Sequence, residues 1–276
     1  MQLQLSFGNS PLRFCVLGSG SSGNAVVLEC EGEALLVDAG FSCRELERRM
    51  SRVGVDPHTV TACVLTHEHG DHARGAGRFS RRFKIPVHAT AGTLEGVRLP
   101  SFAPRPVVIR AGRPLEIGPF HVEPFAVPHD AREPVGLVIE NESGQRFGLA
   151  ADLGTRCRSA WSRLRDLDAL VLESNHDLEM LMKGPYPWHL KRRIAGERGH
   201  LSNADAAAGI EELIADRLQW VVLYHLSQIN NRPVIAAEAV GEELSRCGSA
   251  AQLSVSSQTE PTAWFEIGAT SVARAV

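Results

Sequence analysis

The chain reads as a single α/β domain on three observations. Short apolar runs rich in Val, Leu and Ile alternate with segments of helical character along 276 residues, with no linker and no internal repeat. Hydrophobic residues make up 43% of the chain and charged residues 22%, the balance of a globular protein able to bury a sizeable core. The apolar run at residues 61–65 ends directly in a cluster of metal-capable side chains, Thr66-His67-Glu68-His69-Gly70-Asp71-His72. Alternation of this kind suits two sheets packed face to face with helices outside.

Taken in order, residues 13–17 read as a first strand. The segment Gly18-Ser19-Gly20-Ser21-Ser22-Gly23 matches G-x-G-x-x-G, but a dinucleotide site needs a helix next. An apolar strand at residues 25–30 follows instead, so the glycines read as a tight turn between strands. A turn at residues 31–33 leads to a third strand at 34–37. Residues 42–52 read as a helix, with Ser42 as N-cap and Glu45 three positions on. After the strand at 61–65 and the histidine motif, residues 73–83 read as one continuous helix. Arg74, Arg78, Arg81, Arg82 and Lys84 recur there at near-helical spacing, a pattern that either binds a phosphate backbone or faces water. Strands are expected through Val87, 107–109 and 115–127, and a hairpin joins 135–140 to 146–150 across residues 141–144. A buried strand at 169–172, helices at 202–214 and 236–246, and strands at 252–255 and 263–267 complete the pattern.

The six cysteines are scattered and form no C-x-x-C, so free thiols are expected rather than disulfides or a zinc knuckle. No apolar run is long enough to span a bilayer, and the first nine residues lack the pattern of a signal peptide, so a cytoplasmic location is expected. The formal net charge is −3, so a nucleic-acid ligand has to be met by a local basic patch.

Three histidines and an aspartate at a strand end would be costly to bury unpaired. As ligands they make chemical sense, because neutral imidazole and carboxylate are good donors to zinc or a similar divalent ion. The crowding points to two ions, with H-x-H chelating one while D-H turns toward the other.

H-x-H-x-D-H after a strand resembles the signature of the metallo-β-lactamase superfamily, whose remaining ligands come from loops far downstream. Pro128-His129-Asp130, Ala151-Asp152-Leu153 and Tyr224-His225-Leu226-Ser227 each follow an apolar strand candidate, in the order that family requires. The resemblance covers nearly the whole chain, with a core of about residues 12–268, and implies a metallo-β-lactamase αββα sandwich. It implies that His67, His69 and His129 bind one ion, that Asp71, His72 and His225 bind the other, and that Asp152 bridges them. The ions would be zinc or manganese. Asp38, at the end of the third strand, would brace the ligand loop. Asp71, rather than Cys, resembles the nuclease, phosphodiesterase and glyoxalase branches.

Further motifs narrow the resemblance. Tyr224-His225-Leu226-Ser227 is similar to the His-Phe-Ser element of ribonuclease Z, and Gly199-His200-Leu201-Ser202 to its Gly-His-Ser-Thr segment, which implies that His200 protonates a leaving group. His200 also stands just before a helix capped by Ser202 or Asn203, where backbone N–H groups favour an anion. Glu173-Ser174-Asn175-His176-Asp177, Gly184-Pro185-Tyr186-Pro187, Leu190-Lys191-Arg192-Arg193-Ile194 and Asn230-Asn231-Arg232-Pro233 look like the YycJ/WalJ group, regarded as DNA-processing exonucleases. The implied function is a dinuclear metal-dependent phosphodiesterase acting on nucleic acid, a 5′-to-3′ DNA exonuclease with Asp71 and His200 catalytic. His176, Lys191, Arg192 and Asn230 are candidate substrate contacts. Arginine forks suit phosphate oxygens, and Tyr186 and Trp188 beside them suit stacked bases. The alternatives are a small-molecule phosphodiesterase or other metallohydrolase, acting on a cyclic nucleotide or thioester, and a non-catalytic nucleic-acid-binding protein.

Overall fold

The computed structural model describes residues 11–268. In chain order the first half holds β1 (Arg13–Gly18), β2 (Ala25–Cys30), β3 (Glu33–Val37), α1 (Cys43–Arg52), β4 (Val60–Val64), α2 (Gly70–Ala73), α3 (Ala76–Phe83), β5 (Val87–Ala89), α4 (Ala91–Gly96) and β6 (Val107–Val108). The second half holds β7 (Leu115–Ile117), β8 (Phe120–Ala126), β9 (Val135–Glu140), β10 (Arg146–Ala150), α5 (Arg158–Trp161), β11 (Ala169–Glu173), α6 (Leu178–Lys183), α7 (Trp188–Ile194), α8 (Asn203–Leu213), β12 (Trp220–Tyr224), α9 (Pro233–Arg246), β13 (Gln252–Val255) and β14 (Phe265–Glu266). One sheet runs β14-β1-β2-β3-β4-β5-β6 and the other β13-β12-β11-β10-β9-β8-β7. Each is antiparallel in one half and parallel in the other, the change falling at β3 in the first and at β10 in the second.

Period-two alternation sorts the side chains into layers. Phe14 and Val16 of β1, with Val222 and Tyr224 of β12, face the core between the sheets. Their neighbours Cys15 and Leu17 face the helices outside the first sheet, and Val221 and Leu223 face those outside the second. The result is the αββα sandwich expected. It also explains why the strands read as unbroken apolar runs, since both faces of the central strands are buried.

Two expected elements are divided. The helix expected over residues 73–83 breaks at Arg74-Gly75, because the Gly75 N–H donates to Ala39 O at 2.7 Å instead of continuing a helical ladder. A Cβ on Gly75 would meet Phe41 O at 2.0 Å, so only glycine allows this approach. The strand expected over 115–127 is a hairpin, turned at Gly118 with φ of 54°. Elsewhere Ser42 caps α1 by accepting from the Glu45 N–H, and Ser202 caps α8 by accepting from the Asp205 N–H. The glycine-rich turn lies between β1 and β2 with no helix after it, as the sequence indicated. Cys15, Cys43, Cys63, Cys157 and Cys247 are free thiols, and Cys15, Cys30 and Cys63 are buried. Among the described residues no helix is long and apolar enough to cross a membrane.

The same strap that breaks the helix holds the histidine motif against β3. Ala39 N donates to His72 O at 2.7 Å, and Asn24 N donates to Asp71 O at 2.8 Å. A Cβ on Gly40 would fall 1.7 Å from Asp71 O. Gly40→Ala is therefore expected to displace Asp71 and to cost about 1–3 kcal/mol by overpacking. Melting of the variant should fall accordingly, and its uptake of divalent metal should weaken. An unchanged melting temperature would mean that the two backbones are free to part.

Candidate metal centre

The carboxyl ends of strands from both sheets converge. Asp38 follows β3, Thr66 and the histidine motif follow β4, and His129 follows β8. Asp152 follows β10, Glu173 ends β11, and His225 follows β12. Three of these residues turn sharply as their strands end. Asp38, Asp152 and His225 have φ of 60°, 50° and 57°, in the left-handed region that costs a non-glycine residue about 1–3 kcal/mol. The surroundings hold them there because each side chain has fixed partners.

The imidazoles are each gripped by one nitrogen. His72 Nδ1 lies 2.7 Å from Asp38 Oδ2, and Asp38 also accepts from the Thr66 N–H and hydroxyl. His129 Nδ1 donates to Gly199 O at 3.0 Å, and His67 Nδ1 lies 3.1 Å from the Thr66 hydroxyl. Glu173 Oε1 accepts from His225 Nδ1 at 3.0 Å and from His200 Nδ1 at 2.8 Å, while its other oxygen accepts from the Leu153 and Leu201 N–H groups. The second nitrogens of His67, His72, His129 and His225 then face one another and the carboxylates. Asp152 Oδ2 is 3.2 Å from His67 Nε2, 3.2 Å from His72 Nε2 and 3.6 Å from His129 Nε2. Asp71 Oδ2 is 3.2 Å from His225 Nε2.

This arrangement has the form of a metal site. The donor atoms of His67, His69, His129 and Asp152 lie within 4.8 Å of one another, and so do those of Asp71, His72 and His225. Asp152 reaches both groups, since its Oδ1 is 2.7 Å from His225 Nδ1 without the alignment of a hydrogen bond. His67 Nε2 is buried and, among the described residues, makes no aligned hydrogen bond although Asp152 Oδ2 lies 3.2 Å away, an arrangement that a cation between them would satisfy. Carboxylate or carbonyl behind each of His72, His129 and His225 is the outer arrangement that orients metal-binding histidines. The residues present therefore fit one or more divalent ions.

Electrostatics agree. Burial drives the His67 pKa down to about 4, which keeps that ring neutral, as a ligand must be. Burial opposes charge on His72 as well, but Asp152 and Asp38 overcome it and raise its pKa to about 10. His225 is raised well above its ordinary value against the same opposing burial, by Asp152, Asp71 and Glu173. Glu173 is drawn down to about 2, because His200 and His225 outweigh its burial. Protons on His72 and His225 thus balance the buried carboxylates where no cation does so.

The seven residues expected as ligands come together. His200 comes with them, its side chain 20% exposed against 4% or less for His67, His72, His129 and His225. The expected substrate contacts fare differently. His176 is 1% exposed and pairs with Ser202 in a β-bridge, and Asn230 is likewise buried at 1%. Lys191 is buried because its ammonium donates to Met182 O at 2.6 Å, capping the end of α6. Arg193 is tied to Asp130 at 2.5 Å. Of the four, only Arg192 offers its charge to solvent. Two members of the site escaped the sequence reading. Glu173 opens the Glu173-Ser174-Asn175-His176-Asp177 motif, but no role was assigned to it there. Asn24, whose Nδ2 is 3.0 Å from His72 Nε2, had none beyond its place after the glycine turn.

Residues 33–226 match the family described as a beta-lactamase superfamily domain. Exodeoxyribonuclease YycJ of Bacillus anthracis is 34% identical over 242 residues, covering 86% of this chain and 90% of that protein. Exodeoxyribonuclease WalJ of Streptococcus pneumoniae serotype 2 (strain D39) is 30% identical over 239 residues, covering 85% and 88%. Among solved structures, the metallo-beta-lactamase fold protein YhfI from Bacillus subtilis aligns with a TM-score of 0.70 at 16% identity, covering 93% of this chain and 99% of that one, a likeness of fold.

A metal bound through His72 and His225 would displace the protons that Asp152 and its neighbours favour on those rings. A histidine raised in the folded protein stabilises it fully below the ordinary value of 6.5, and that stability is lost as pH rises through about 10. Metal-free protein should therefore lose stability between about pH 6.5 and 10, and metal affinity should climb over the same range. Calorimetry in buffers of different ionisation enthalpy should register about two protons released per protein at neutral pH. Zero release would show that the two rings are neutral before metal arrives.

Proposed function

The chain is a hydrolase that belongs to the metallo-β-lactamase superfamily, in the group that holds the YycJ and WalJ proteins, and from that premise we propose that it is a nuclease. It hydrolyses phosphodiester bonds in DNA, removing nucleotides from the 5′ end with two divalent ions, zinc or manganese, in its centre. The observation that carries this reading is His200, a histidine gripped by Glu173 on one nitrogen and more exposed than the buried imidazoles beside it.

His67, His69 and His129 would hold one ion, and Asp71, His72 and His225 the other, with Asp152 between them. Bound divalent ions polarise phosphoryl oxygens and bring the pKa of water toward neutrality. The chain's own side chains do the rest. Asp71, 21% exposed and held ionised by His225 and His72 against its burial, accepts a hydrogen bond from the attacking water and orients it. His200 keeps Nδ1 on Glu173, so its Nε2 is the nitrogen that hands a proton to the departing oxygen. Glu173 and Asp152 raise the pKa of His200 against its burial, which favours the protonated ring that a general acid requires.

His200→Ala should lower kcat by about 10²–10⁴-fold and leave metal content unchanged. Metal loss in that variant, read by elemental analysis, would make His200 a ligand rather than an acid. Asp71→Ala should abolish turnover and weaken retention of the second ion. The direct assay offers 5′-labelled and 3′-labelled duplex DNA, single-stranded DNA and RNA to wild type and to Asp71→Ala prepared identically. Mononucleotides released from the 5′ end of DNA by wild type alone are the expected outcome. Intact polymers in every lane, from protein holding two metals, would move the activity to small phosphodiesters.

A further inference from the structure

A cavity of about 460 Å³ opens between α1 and α3 and is lined by Arg44, Arg78, Arg81 and Arg82 with a single acid, Glu47. Four arginines against one glutamate leave a formal charge of +3 there, in a chain whose total is −3. Glu47 is engaged by Arg82 at 3.0 Å. Arg44, Arg78 and Arg81 are exposed and have no ion-pair partner among the described residues. A dispersed basic face is ordinary. Guanidinium groups gathered from two separate elements around one hollow repel each other unless an anion lies among them.

The cavity is tied to the metal centre by the chain path. α1 begins five residues after Asp38, and α3 begins four residues after His72. Asp38 and His72 are themselves in contact at 2.7 Å, and the strap of Ala39 to His72 and Gly75 fixes the starts of both segments to each other. In the chain between His72 and α3 lies Arg74, exposed, with Nη1 3.5 Å from Ser22 O. By contrast the basic run on α7 is largely consumed by internal partners, Met182 O and Asp130.

We propose that the α1–α3 arginine cavity is the phosphate-binding groove that holds a nucleic-acid strand beyond the scissile bond, an assignment that rests on the nuclease reading. Arg78 and Arg81 grip backbone phosphates, Arg44 closes the opposite wall, and Glu47 keeps Arg82 in place. The contacts proposed are to backbone phosphates, which position a strand and carry no sequence information. The occupant is a phosphodiester backbone, and DNA and RNA strands are separate arms of the test.

The test compares wild type, Arg78→Ala/Arg81→Ala and Arg158→Ala/Arg165→Ala. The last pair removes the same charge from a different cavity, beside α5, whose lining includes Asp205 and Glu212. All four residues are exposed, so both variants should fold. Binding of fluorescein-labelled single-stranded DNA, and of the RNA of the same sequence, is followed by anisotropy in EDTA across a salt series. Each phosphate contact on a single strand contributes about 0.7 to the slope of log affinity against log salt. The Arg78/Arg81 variant should lose about 1.4 from that slope, with Kd about tenfold weaker at low salt, while the Arg158/Arg165 variant keeps the wild-type slope. Equal slopes in all three proteins, or equal losses in both variants, would overturn the groove and leave the nuclease reading standing if wild type still degrades DNA. Wild type that neither binds nor degrades either polymer would overturn both.

Discussion

Asp152 is the charge around which the rest of the centre is arranged. It is 2% exposed and stands between His67, His72 and His129 on one side and His225 on the other. A carboxylate removed from water in this way costs several kcal/mol unless charge and hydrogen bonds compensate it. Here the compensation comes from histidines on three different loops, delivered by β4, β8 and β12. None of these rings stays in place by itself. Asp38 holds His72, Gly199 O holds His129, Glu173 holds His225, and the Thr66 hydroxyl lies against His67, so each partner of Asp152 is fixed by a further buried group. The left-handed turns at Asp38, Asp152 and His225 follow from the same demand, since an extended residue would carry each side chain away from the others.

This view gives the glycine-rich turn a purpose unrelated to nucleotide phosphates. Ser19 Oγ accepts from the His225 N–H at 2.7 Å, and Asn24 braces both the turn, through the Gly20 N–H, and the histidine motif. The turn thus joins the first sheet's opening hairpin to His225 at the end of β12 in the second sheet. Glycine is needed at Gly20 because φ there is 141°, a backbone conformation that side-chain-bearing residues rarely adopt.

The fold was legible in residues 13–17, 25–30 and 220–224 because burial of both strand faces leaves few polar interruptions to disguise them, Arg13 and Glu29 pairing with each other at the strand ends. The metal motif was legible because five polar side chains crowd a strand end that solvation alone would not fill. Glu173 was not, because one acid at a strand end looks like an ordinary solvated terminus. Its role arises only when His200 and His225, 27 and 52 residues further along, fold back to it. Lys191 misled for the complementary reason. Its sequence neighbourhood is basic, but the carbonyl it seeks, Met182 O, belongs to a helix of six residues too short to show a period. The break at Gly75 was hidden because the apolar spacing of 73–83 continues across it, and only the neighbouring backbone of Ala39 and Phe41 forbids a continuous helix.

Asp71 and His225 touch at 3.2 Å although 154 residues separate them in the chain. A ribosome releases the histidine motif long before it releases β12. The nascent protein therefore carries the histidine motif early and lacks His225, its partner from the second sheet, until most of that sheet exists. An ion caught early by His67 and His69 would meet an open, exchangeable chelate rather than a finished site. Whatever hydrolysis the centre performs is thereby withheld until β12 has been made and has folded back onto the histidine motif.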